Sequence, residues 1–154
     1  MRHTQPHKDD IPLLVLAFLK VLLHFGVNLR DGYFIDEFYY IACGEHLDWG
    51  YVDHPPLVAV IAAVTRFLLG DSVFALRIPA VLAGAAMVFF AGRLARELGG
   101  GRFAQILAAL VVFAVPVFTG VHGIYSMNTF DQLIWLLGAY LIVMIIHHDR
   151  PRYW

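Results

Sequence analysis

A single cysteine, Cys43, is present in 154 residues, so there is no disulfide framework and no CxxC motif for metal or redox chemistry. Charge is scarce as well. Asp, Glu, Lys and Arg make up 15% of the chain, well below the quarter usual in soluble domains, while 60% of it is hydrophobic. A bilayer is the solvent such a composition needs. The net charge of -1 and the scattering of the eleven Lys and Arg leave no basic patch for phosphate backbones, which excludes a nucleic-acid partner. No internal repeat is visible. The N-terminal MRHTQPHKDD and the apolar run after it lack an A-x-A-like cleavage site, so they are expected to form a retained signal anchor.

What the chain does have is long apolar runs. About 20 apolar residues cross a hydrocarbon core, and four segments qualify: 11–29, 73–92, 103–121 and 129–148. A fifth run, 57–69, would reach only about 20 Å at 1.5 Å per residue and is expected to lie in the interface. The expected fold is all-α, a polytopic membrane protein of about four transmembrane helices, with interfacial helices in an outer loop, 30–72. Basic residues decide the orientation. With four spans and a cytoplasmic N-terminus, Arg93, Arg96, Arg102, Arg150 and Arg152 all fall inside, and counting 57–69 as a span would put them all outside. Both termini are therefore expected in the cytoplasm, with 30–72 and 120–128 outside.

That loop holds Asp31, Asp36, Glu37, Glu45, Asp48, Asp53 and Asp71, seven of the twelve acids, interspersed with aromatics. Short surface helices fit this pattern better than disorder. Pro55 and Pro56 suit the first turn of the Leu57 helix, with Asp53 or His54 near its cap. Asp36 and Glu37, being adjacent, cannot face one reacting atom alike, so one is expected in a cavity and the other in a cap or local pair. Asp53-His54-Pro55-Pro56 sets an anion and an imidazole at a helix start, which is either a capped surface turn or a phosphate-side contact. Asp131, at the mouth of the last span, is either functional or a buried polar partner. Lys20 and His24 share one face of the first helix, and Lys20 needs a partner that the sequence does not identify. Pro79 and Pro116 kink or begin helical segments. Trp49, Trp135, Tyr140 and Trp154 are expected as packing or interface anchors, and His147-His148 alone would make a poor metal site.

Taken in order, the Asp36-Glu37 pair with its aromatics, Gly50-Tyr51-Val52-Asp53-His54-Pro55-Pro56-Leu57, the interfacial helix, Arg77-Ile78-Pro79 and Asp131 resemble the protein O-mannosyltransferase and aminoarabinose-transferase group of GT-C glycosyltransferases. The resemblance covers about 11–154, and because members of the group are several times longer, it implies an N-terminal module that is inactive in isolation. It further implies a cell-membrane enzyme of the cell envelope, in which a polyprenyl-phosphate carrier delivers a sugar to an extracytoplasmic acceptor with inversion. Asp36 maps to the catalytic base, and Glu37 and Tyr40 to support of the loop or the acceptor. Asp53 and His54 fall where the aminoarabinose transferases carry an acid and a lysine, and Tyr39 replaces a basic residue of those enzymes. Asp53, His54 and Asp131 are thus expected on the substrate side. The cofactor stays open, with a divalent metal held through Asp53 as one option. Two other readings are a truncated or accessory four-span protein that binds lipid phosphate or a partner, and a small transporter using Lys20 and Asp131 as a charge relay.

Overall fold

The computed structural model describes residues 10–28 and 32–148. Leu29, Arg30, Asp31, Arg150, Arg152 and Trp154, which figure in the sequence expectations, lie outside the described residues. The described chain is all-α, as its apolar periodicity demands. Its helices are α1 (Ile11–Asn28), α2 (Ile35–Glu45), α3 (Leu57–Leu69), α4 (Val73–Glu97), α5 (Arg102–Ala114), α6 (Pro116–His122) and α7 (Met127–His148).

Helix α4 is the axis of the bundle, packed against α1, α5 and α7 along its length. Small residues make that possible. Ala80, Ala83, Gly84, Ala85 and Gly92 keep its surface thin, and Leu13, Met87, Val88, Ala109 and Val112 fill one core cluster around it. Ser72 starts the helix, its Oγ accepting the Ala75 N–H at 3.1 Å. At the far end Asp10 ion-pairs with Arg93 (2.8 Å) and Arg96 (2.7 Å), so the start of α1 and the end of α4 meet at a basic pole. Helices α2 and α3 pack on each other, and α3 lies against α4. Gly44 allows the α2–α3 contact, because a Cβ there would stand 3.2 Å from the backbone of Ala59 and Ala63. A second core of Tyr40, Val58, Ala62, Leu76, Ala80 and Tyr125 joins these helices to the start of α4.

Among the described residues two helices, α4 and α7, are long and apolar enough to cross a membrane, and α5 with α6 makes a third if the bent pair is one span. The expected span 103–121 is therefore not one straight helix. Pro116 has no N–H and cannot continue α5, and the two pieces meet at 60°. Helix α1 is shorter, and so is α3, whose bounds coincide with the apolar run 57–69. One local expectation changes. Neither Asp53 nor His54 caps α3, which starts from Pro56 with no side-chain cap, because both side chains are engaged elsewhere.

Gly84 marks a close approach between α4 and α6. A Cβ there would stand 2.7 Å from Cγ and 2.8 Å from Cβ of His122, atoms too near the α6 backbone to swing away. Gly84→Ala is expected to cost about 1–3 kcal/mol through overpacking. Gly92→Ala meets chiefly the flexible end of Leu13 and should cost less. Midpoints of detergent titration of the purified chain would order the two variants.

Candidate active site

Where α2 begins, adjacency sends Asp36 and Glu37 to different surroundings. Glu37 is completely buried and Asp36 is exposed. The Glu37 carboxylate accepts four N–H bonds. Oε1 takes Arg77 Nε at 2.7 Å and the Tyr125 backbone N–H at 2.8 Å, while Oε2 takes Arg77 Nη2 and the Phe34 backbone N–H, both at 2.8 Å. Arg77 Nη2 also donates to the carbonyl of Gly32 at 2.9 Å. A buried carboxylate is tolerable only when paired and fully hydrogen-bonded, and this one is both. Of the two roles the resemblance leaves Glu37, support of the loop or of the acceptor, its bonds serve the first. They tie together α2, α4 and the α6–α7 turn.

Asp36 lies one helical turn before Tyr39 and Tyr40, on the same face of α2. The Tyr39 hydroxyl donates to Asp53 Oδ1 at 2.6 Å, and this bond to a carboxylate pushes the phenol well above its usual range. Tyr40 is buried between His54 and Tyr125, with ring centroids at 5.3 and 6.0 Å. Burial pushes the Tyr125 phenol up as well, and its hydroxyl donates to the Val58 carbonyl at 2.6 Å.

His54 is buried in an aromatic cage of Tyr39, Tyr40 and Tyr51. Its Nδ1 is 2.9 Å from the Pro55 carbonyl, which can only accept, so Nδ1 carries the hydrogen. Nε2 has no hydrogen-bond partner and points toward Asp53 Oδ1 at 3.9 Å. The loop before it is stapled by Tyr51, whose hydroxyl is bonded to the Asp48 N–H and to the carbonyls of Cys43 and His46.

Asp53 and Asp131 line one cavity of about 310 Å³ together with Asn128, Pro55, Met127 and Phe130. Asp36 is not among its lining residues, but it neighbours Tyr39, which bonds Asp53. Asp53 and Asp131 are thus exposed at one cavity, Asp36 is exposed one helical turn before the Tyr39 that bonds Asp53, and Glu37 is buried. Among the described residues no three His, Cys, Asp or Glu side chains converge as a metal site requires. Asp53 is also bonded to Tyr39.

Sequence reasoning did not foresee Arg77 as the partner of Glu37, the Tyr39–Asp53 bond, or the anchoring by Tyr125. A signal for the first was present, since an arginine at the start of an otherwise apolar helix demands a counter-charge. Lys20 and Asp131 are not brought together as a transporter relay would need. Lys20 is bonded to carbonyls of α5, and Asp131 lines the cavity at the start of α7.

This all-helical chain, with helices long and apolar enough to cross a membrane and a cavity lined by Asp53 and Asp131, is matched by a family of membrane glycosyltransferases of the GT-C type. The family model described as dolichyl-phosphate-mannose-protein mannosyltransferase matches residues 53–154, about two thirds of the chain, and the chain belongs to that family. The match takes in Asp53, His54, Arg77 and Asp131, whereas Asp36, Glu37 and Tyr40 precede it. No curated protein and no solved structure matches the chain.

Proposed function

We propose that the chain is the N-terminal module of a transferase that moves a sugar from a polyprenyl-phosphate carrier to an extracytoplasmic acceptor, with inversion at the anomeric carbon. The observation that carries this reading is the partition of the acids: Asp36, Asp53 and Asp131 exposed on one pole, Glu37 buried beneath them in an ion pair. Asp36 accepts the proton of the acceptor hydroxyl as the new glycosidic bond forms, and the bond to the lipid phosphate breaks on the opposite face of the sugar. The leaving phosphate departs as a stable anion, so the site needs a base more than an acid. Asp53, Asp131 and Asn128 hold hydroxyls of sugar or acceptor in the cavity, with the buried His54 behind Asp53, its Nε2 3.9 Å from Oδ1, and Tyr40 packed on His54. A divalent metal held through Asp53 would need ligands from outside the described residues.

The bundle is taken to cross the membrane four times, through α1, α4, the bent α5–α6 pair and α7, with α3 at the outer interface. Support comes from its two poles. Asp10, Arg93 and Arg96 gather at one and the exposed acids at the other, an asymmetry that supports a cytoplasmic basic pole with cytoplasmic termini. Four spans and one loop do not enclose both a long lipid donor and an acceptor, so the 154 residues by themselves are inactive.

Membranes carrying the reading frame that contains this chain, supplied with labelled mannose on a polyprenyl-phosphate carrier, are expected to move label to an extracytoplasmic acceptor. Label that stays on every polyprenyl-phosphate sugar offered, with the protein verified in the membrane, would overturn the reading.

A further inference from the structure

The bend between α5 and α6 is held by a residue from another helix. Pro116 offers no N–H, so the carbonyl of Val112, four residues earlier, loses its helical donor. Lys20, in the middle of α1 and with no exposed surface, supplies the replacement. Its Nζ lies 3.3 Å from the Val112 carbonyl, 3.1 Å from the Phe113 carbonyl and 3.2 Å from Thr119 Oγ1. An ammonium has three donors, and all three are used. The charge also sits at the C-terminal end of α5, where the helix dipole favours a cation. Thr119 completes the clasp from the α6 side, its hydroxyl lying 3.1 Å from the Phe113 carbonyl and 3.3 Å from that of Val115.

Beyond the bend, α6 leads directly into the anchors of the site. His122 seats on Gly84, and three residues later Tyr125 gives its N–H to Glu37 and its hydroxyl to the Val58 carbonyl. We infer that Lys20 is a positioning residue: by clasping the carbonyls exposed at Pro116 it fixes the α5–α6 bend, and the bend delivers Tyr125 to α2, which carries Asp36, and to the start of α3, just after the loop that carries Asp53. The functional half of this inference rests on the transferase reading, and the structural half does not.

Nitroxide labels at Phe103→Cys and Gly120→Cys, both exposed positions, read the bend in the purified chain in nanodiscs with Cys43→Ala as background. Seventeen residues separate the labels. At 1.5 Å per residue, straightening a 60° bend at residue 115 lengthens their separation by about 3 Å. The parent and Lys20→Arg are expected to give one narrow distance, and Lys20→Met a longer, broader one. An unchanged distribution in Lys20→Met would overturn the inference. Should Lys20→Met fail to fold, Lys20→Met with Pro116→Ala restores a backbone donor to Val112 and is expected to fold with the straight distance, and a bent distance there would equally overturn it. Where transfer dependent on Asp36 is measured, Lys20→Met should lower kcat on the order of 10²-fold at unchanged KM for the donor, with Lys20→Arg restoring it. A straightened chain with full kcat would overturn the positioning role. Transfer indifferent to Asp36 would instead remove Asp36 from the role of base, and absence of transfer from every donor would sink the transferase reading, both leaving the clasp standing.

Discussion

Asp36→Asn is expected to lower sugar transfer by roughly 10²–10⁴-fold, the range a positioned general base contributes, while the protein still inserts and folds. The side chain is exposed and stands apart from the Glu37–Arg77 pair that holds the start of α2, so the amide should disturb little of the structure. It removes the ability to take a proton and changes almost nothing else. Asp53→Asn and Asp131→Asn should act differently, raising KM more than they lower kcat, because the proposal gives those residues binding roles in the cavity. The measurement is initial rate against donor and acceptor concentration in membranes, beside a detergent-extraction profile that reports folding. Transfer retained at the parent rate in Asp36→Asn would remove it from the role of base.

Arg77→Met is expected to produce the largest loss of stability in the chain. It deprives a carboxylate with no exposed surface of its counter-charge and of two of its four hydrogen bonds. Removing one partner of a buried ion pair typically costs about 3–5 kcal/mol. The Gly32 carbonyl loses its bond to the same guanidinium. Glu37→Gln should cost a comparable amount, since it leaves the buried Arg77 without its counter-charge and turns an amide N–H toward a donor. Replacing both partners, Glu37→Met with Arg77→Leu, should recover part of the loss, as apolar substitutes leave no orphaned charge. Denaturation midpoints of the four proteins in an SDS titration would check this order, and an Arg77→Met midpoint equal to that of the parent would refute the anchoring role.

These outcomes separate two carboxylates that stand side by side in the chain. Adjacency already requires Asp36 and Glu37 to diverge by about 100° on a helix, so a division of labour is legible from the residues. Which one goes inward is not, because that depends on Arg77, forty residues later, and on a backbone N–H from Tyr125, a further forty-eight on. Asp53 and Asp131 show the same limit. Each is conspicuous as an acid beside apolar sequence, yet the cavity they share exists only once α3 and α7 are packed. Tyr39, notable in the sequence as the replacement for a basic residue, turns out to bond Asp53.

The apolar runs by themselves determined that the chain is helical and belongs in a membrane, and the run 57–69 marked the bounds of α3, because burying backbone polar groups in hydrocarbon leaves few alternatives to a helix. The ordered polar motifs likewise pointed to the glycosyltransferase family. Only the tertiary structure decided which charges are buried and what pairs with them. It also decided how sharply 103–121 bends at Pro116, a break the proline itself announced, and that Lys20 clasps it. Hydrophobicity and helical period are properties of neighbouring residues, whereas the partner of a buried charge is chosen by packing between distant ones.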